Sequence, residues 1–410
     1  MNFLLGSFYS LFFLMLFLPT KYLSIKAPLL ALVLMILALK LVLKKKVYIS
    51  KPVLIWCCVF ILAGFIFTLW GITNGSIYAL KTGKVDVLWP ILFTFFMMAQ
   101  LTNKVMGDFL KVITVTSAAI GLYSALCILA LKGYFPMSIN ALHLGQSIDR
   151  NSFAIAKYYS DQLPVLSFTF PFLVTLYKYK QDIILRRWIL ASILLSLIPI
   201  IMSGRNALWL ITLLSPIITF TLLQFAKGNS ADYNKLHIQW KLLMTLIGVA
   251  CFSLIQSVIS FDFSALIKKF RLGFSFNTDP SAMLRKEQFY SLLNGWLQSP
   301  LIGKGLGTSA TLIRSTTAPW SYELTYMSRL FHTGLLGVII YGSLYGWIFY
   351  TGLKIARRNP SSGVYIMPLL AGLAGMLIAN ATNPYIGAFD YMWITFLPLA
   401  FINGLMVNKE

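Results

Sequence analysis

Arg205 lies in MSGRNAL between two apolar runs, in a chain that holds 12 acidic residues among 410. A guanidinium at mid-membrane costs about 2.5–3.5 kcal/mol on insertion scales and less toward the interface, so its presence needs a reason. It either snorkels to lipid phosphates or serves as a fixed group for a phosphate or pyrophosphate, engaging two oxygens at once in a partly dry site. A second arginine, Arg285, stands in MLRKEQFYSLLNGWLQSP. With Gln288, Leu292, Leu293 and Trp296 it falls at helical spacing, and Pro300 closes the run, which predicts an amphipathic helix on or near a membrane. The GKGLG that follows lacks the spacing and the GK[ST] ending of a phosphate loop and reads as a tight glycine turn. In PWSYELTYMSRLFHTGLLG, helical steps put Glu323, Met327 and Leu330 on one face and Tyr322, Tyr326 and Arg329 on a neighbouring one, with His332 a turn deeper. Acidic residues are scarce enough that Glu323 invites a role as base or hydroxyl-orienting group; the plainer readings are a helix-dipole partner or an ion pair with Arg329. A lone histidine at such a depth is more often a satisfied core group than a catalyst. SIDRNSFA, with Asp149, Arg150 and Asn151, reads as a polar loop in which Asp149 or Asn151 starts a helix.

The elements that must position these groups are membrane helices. The chain is 58% hydrophobic and only 11% charged, whereas a soluble domain carries about 25% charged residues. Apolar stretches of membrane-spanning length recur. Hydropathy and breaker residues predict an all-α, polytopic membrane protein of about twelve spans. They cover 3–18, 27–43, 52–70, 87–101, 109–131, 163–177, 188–202, 208–225, 242–260, 335–353, 364–379 and 389–407. The first apolar run has neither a basic flank nor a small-residue cleavage site and reads as a retained span. Cys57, Cys58, Cys127 and Cys251 all lie in apolar runs, where cysteine behaves as a small hydrophobe, so no disulfide or metal framework is expected.

Short loops dense in Lys and Arg belong on the cytoplasmic side. That places Lys44, Lys45, Lys46 and Lys51, then Lys178, Lys180, Arg186 and Arg187, then Lys227, Lys235 and Lys241, then Lys354, Arg357 and Arg358 inside, with both termini. Residues 1–410 then form one membrane domain with two outer segments: a smaller one at 132–162, and a large loop at 261–334 between the ninth and tenth spans. The net charge of +22 is split between two sides of a membrane, which argues against nucleic acid as a partner.

In this order, these pieces resemble the O-antigen polymerase and ligase superfamily, the Wzy and WaaL proteins of bacterial surface polysaccharide assembly. The resemblance covers the twelve-span layout and, more specifically, residues 201–337. MSGRNAL at Arg205 is similar to the family's serine- or threonine-arginine element. LRKEQFYSLLNGWLQSPLIGKGLG at Arg285 is similar to its arginine helix and P-L-x-G-x-G turn. YELTYMSRLFHTGLLG is similar to its loop helix ending in G-L-x-G, and DRNSFA to its R-N-x-x-A element. The resemblance implies a GT-C-like membrane glycosyltransferase in the bacterial inner membrane, with its active site on the periplasmic side and amphipathic helices in the large loop. Its substrate would be an oligosaccharide on undecaprenyl pyrophosphate, surrounded by membrane lipids, with a chain-length regulator as a further partner.

Arg205, Arg285 and Glu323 are then the implied catalytic groups, the two arginines gripping the pyrophosphate. Asp149, Arg150, Asn151, Gln288, Tyr322, Tyr326, Arg329 and His332 are the implied substrate contacts. No D-x-D pair occurs among the acidic residues, so the transfer is expected to need no metal or other cofactor, with arginine in the role that Mg²⁺ fills elsewhere. Counting back from Gly337, the histidine of the ligase's H-N-x-x-L element falls at Glu323, and no H-N pair occurs. That favours a polymerase over the ligase, which transfers finished glycan to lipid A-core. A transporter or flippase is the further alternative.

Overall fold

The computed structural model describes residues 2–44, 47–98, 101–131, 134, 136, 147–149, 157–179, 182–227 and 280–408. In chain order its helices are α1 (Asn2–Phe17), α2 (Leu23–Lys44), α3 (Lys51–Thr73), α4 (Ala79–Met98), α5 (Asn103–Leu131), α6 (Leu163–Tyr179), α7 (Ile183–Ser203), α8 (Asn206–Lys227), α9 (Pro280–Leu297), α10 (Thr325–Arg358), α11 (Pro360–Ala379) and α12 (Trp393–Val407). Among the described residues, eight helical segments are long and apolar enough to cross a membrane: α2, α3, α5, α7, α8, α10, α11 and Phe389–Val407, which ends in α12. The chain is a helical membrane protein. The ninth span and 261–279 of the large loop lie outside the described residues, as do Arg150 and Asn151.

Several boundaries differ from the hydropathy reading, each for a local reason. Helix α4 starts at Ala79 rather than at 87, because Lys81, Lys84 and Asp86 are helical although they lower the hydropathy. Helix α7 runs 21 residues, begun by Asp182, whose side chain accepts from the Ile184 amide. The fold is mostly helical, with one antiparallel pair of short strands, β1 (Ser147–Asp149) against β2 (Lys157–Tyr159), in which Asp149 stands opposite Lys157. Asp149 itself is extended, as aromatic and β-branched neighbours favour; 150–156 lie outside the described residues, and α6 begins at Leu163.

By its contacts the chain divides into two compact units. The first comprises Met1–Leu30, Lys104–Arg271 and Leu353–Gly375. Its centre is α6, buried from Leu163 to Leu176. The Thr175 hydroxyl lies 2.8 Å from that of Thr219 on α8.

The second unit comprises Ala31–Asn103, Leu272–Gly352 and Met376–Glu410. Here α12 is buried along nearly its whole length. Helix α3 buries Val53, Cys57, Phe60 and Phe67 and exposes Leu54, Leu62, Phe65 and Ile66, the two-sided apolarity of a helix between protein and lipid. At Gly334 the helical path of α10 breaks, with φ 62° and ψ −167°. A break inside a membrane helix strands backbone groups unless other groups satisfy them. The glycine turn does this: the Lys304 and Gly305 amides donate to the Phe331 and His332 carbonyls at 2.8 Å each, and the Leu335 and Leu336 amides donate to Pro300 and Leu301 at 2.9 and 3.0 Å. From the same turn the Leu306 amide donates to the Phe67 carbonyl at 3.0 Å, and the Gly303 carbonyl accepts from the Trp70 indole at 3.0 Å.

The backbone at Gly334 is one that essentially only glycine adopts, and a Cβ there would strike the Leu301 carbonyl. Gly334→Ala is expected to lower unfolding stability in detergent by about 1–3 kcal/mol. An unchanged denaturation midpoint would refute the stitched break.

Candidate oxyanion-binding site

Within the second unit, α9 and the turn before α10 meet over a small apolar cluster of Leu292, Ala310, Tyr322 and Phe331, with Met327 against it. Tyr322 is buried, and its hydroxyl oxygen accepts from the Ala310 amide at 2.6 Å. Burial raises the phenol's pKa and keeps it protonated, although that amide bond pulls the other way. This anchor fixes the next residue, Glu323. Gln288, fully buried one helical turn after Arg285, accepts the Glu323 amide on its Oε1 at 3.1 Å.

The Glu323 carboxylate then meets two guanidiniums. Arg285 Nε donates to Oε2 at 2.8 Å, and Arg314 Nη2 lies 2.7 Å from Oε1. Two cations on one carboxylate leave the knot net positive, and a guanidinium carries its N–H donors in a planar fork. Gln288 Nε2 is buried and has no hydrogen-bond partner among the described residues. A buried donor left unpaired is costly.

Neither a scan against protein-family models nor a search of curated proteins finds a match to this chain.

Of the sequence-derived candidates, Arg285, Gln288 and Glu323 come together. Glu323 and Tyr322 lie in the turn before α10 rather than on its helical face, because α10 starts at Thr325. The expected Glu323–Arg329 pair is corrected as well. Arg329 instead makes a two-pronged contact with Asp86, Nη1 to Oδ2 at 2.6 Å and Nη2 to Oδ1 at 3.3 Å, and the Tyr341 hydroxyl donates to Oδ2 at 3.1 Å. Tyr326 donates to the Leu377 carbonyl at 2.5 Å. His332 is buried, with Nε2 at 3.0 Å from the Thr308 carbonyl and Nδ1 at 3.3 Å from the Ser328 hydroxyl. These residues hold the unit together where they stand.

Arg205 belongs to the first unit. It sits in the two-residue junction between α7 and α8, after Gly204, which ends α7 in the left-handed conformation at φ 57°. Its amide donates to the Ser203 hydroxyl at 3.2 Å, and its carbonyl accepts from Trp209 at 3.2 Å to begin α8.

Sequence reasoning missed Arg314 and Asp86. Arg314 lies in a polar loop with no helical pattern to flag it, so only tertiary folding brings it to Glu323. Asp86 did carry a signal, because an acid beside an apolar run is rare and calls for a partner. Among the described residues no group of three or more His, Cys, Asp or Glu could hold a metal ion.

Proposed function

We propose that this protein is a membrane glycosyltransferase that polymerises a surface polysaccharide. It would join a growing glycan, carried on undecaprenyl pyrophosphate, to the non-reducing end of the next lipid-linked repeat unit at the periplasmic face of the bacterial inner membrane. The observation that carries this reading is the pair of guanidiniums, Arg285 and Arg314, converging on the single carboxylate of Glu323. Paired forks of this kind suit a diphosphate, whose oxygens accept several charge-assisted bonds at once.

In the reaction an acceptor hydroxyl oxygen bonds to the anomeric carbon, the bond from that carbon to the diphosphate breaks, and the electron pair leaves with the diphosphate. Negative charge grows on the leaving group, so fixed guanidiniums stabilise the transition state more than the ground state. A diphosphate that drew Arg285 and Arg314 to itself would release Glu323, free to take the proton from the attacking hydroxyl. Gln288, whose Oε1 accepts the Glu323 backbone amide, would be a neutral group of the same site.

Transport is a second reading, favoured by the broken helix α10 and the buried Asp86–Arg329 pair. Two observations weigh against it. The carbonyls freed at the break already accept loop amides, and Asp86 and Arg329 already satisfy each other.

Surface lipopolysaccharide from a deletion strain, run on a gel, separates the alternatives. Loss of a polymerase leaves core carrying a single repeat unit, and that is the expected pattern. Core with no repeat unit would indicate the ligase, and an unchanged ladder would end both readings.

A further inference from the structure

A second feature of the second unit, beside the knot, has the chemistry of a carbohydrate site. An open cleft of about 600 Å³ lies between the turn after α3, the face of α9 and the loop that follows it. Asn74, Tyr78, Asn294, Gln298, Thr308 and Thr311 line it. Amide and hydroxyl side chains both donate and accept hydrogen bonds, which matches the hydroxyls of a sugar. No carboxylate and no guanidinium lines the cleft, and its cation, Lys304, already donates to the Gln298 amide oxygen at 2.8 Å. A free phosphate would therefore find little to hold it, and a lipid tail would meet polar walls.

One aromatic group adds apolar surface of the sort the faces of pyranose rings pack on. Tyr78 lies 4.6 Å from the ring of Trp320, which is itself capped by Lys81 at 4.8 Å. The volume falls in the range of sites that enclose ligands larger than one ring.

The cleft and the knot draw on the same helix and the same loop. Ser291 and Asn294 lie on α9, the helix that carries Arg285, and Gln298 follows its end. Six residues separate Arg285 from Ser291, about 9 Å along a helix that rises about 1.5 Å per residue. Thr311 and Arg314 share one short loop.

We infer that the cleft is a glycan subsite, which takes neutral sugar residues of a lipid-linked oligosaccharide. The assignment of those sugars to a lipid carrier rests on the polymerase reading; the sugar chemistry of the cleft stands on its own walls. The decisive experiment uses full-length protein in lipid nanodiscs and, as probe, the oligosaccharide released by mild acid from the host's lipid-linked pool, with binding read by calorimetry.

Asn294 is exposed and belongs to none of the pairs that shape the cleft. Asn294→Trp, which fills the space, is expected to weaken binding at least about tenfold, and Asn294→Ala, which removes one hydrogen-bonding group, about three- to tenfold. Both variants should keep the parent's unfolding midpoint, and the alanine variant still decides the matter if the tryptophan variant does not fold. Absence of saturable binding to the parent protein, or parental affinity in the variants that fold, overturns the inference. Arg285→Ala should leave binding of this diphosphate-free probe intact. A strain with Arg285→Ala that still makes full polymer, while Asn294→Trp still abolishes probe binding, would sink the polymerase reading and leave the glycan subsite standing.

Discussion

Replacing Arg285 with alanine is expected to slow polymer formation by about 10²–10³-fold, the usual loss when one preorganised donor to a developing negative charge is removed. Unfolding would not explain such a loss. The Arg285–Glu323 contact is part-exposed, at 32% and 16% of the two side chains, and exposed pairs are worth only about 0–1 kcal/mol. Arg285→Lys should recover part of the rate, because an ammonium restores charge without the parallel donors of the fork. Glu323→Gln separates geometry from proton transfer: the amide keeps one acceptor for the guanidiniums and gives up the basic oxygen. If that strain makes polymer of unchanged length and amount, Glu323 is not the base. Polymer undiminished in the Arg285→Ala strain, by gel of the surface polysaccharide, would remove the central support of the proposed function.

Asp86→Ala is expected to destabilise the protein by about 3–5 kcal/mol, because it leaves the Arg329 guanidinium inside the fold without its counter-charge. The Asp86 side chain is only 3% exposed and that of Arg329 19%, so water cannot take over. Arg329 also lies 4.4 Å from the centre of the Tyr341 ring, which supplies only part of what the carboxylate gave. The double replacement Asp86→Leu with Arg329→Met removes both charges together, and such exchanges are often neutral or stabilising. It should regain most of the loss in denaturant unfolding of the detergent-solubilised protein. A single Asp86→Ala variant within about 1 kcal/mol of the parent would show that the pair does not clamp α4 to α10.

What the sequence revealed follows the reach of each signal. Apolar runs gave the membrane character, and the spacing of Arg285, Gln288, Leu292 and Trp296 gave α9, which ends at Leu297 just before Pro300. Both are local signals, carried within one helix. The glycine turn was also legible as a turn, though its task, filling the break at Gly334, depends on carbonyls some 30 residues on and has no local mark. Glu323 was singled out by scarcity alone, and its partners could not be read because Arg285 lies 38 residues away on another helix and Arg314 sits in an irregular loop. Counting helical steps back from the apolar part of α10 failed at Tyr322 and Glu323, where the chain is not yet helical. Asp86 escaped notice because a hydropathy window charges it against the helix that in fact contains it.

The backbone bonds between the glycine turn and the broken α10 change what kind of surface the loop presents. A polar segment between two helices ordinarily behaves as a tether and opens far more readily than its neighbours. Here the amides of Lys304, Gly305 and Leu306 end on helix carbonyls, so the segment opens only when those helices do. A molecule settling against it would meet a wall already in its final shape and give up little freedom in ordering it.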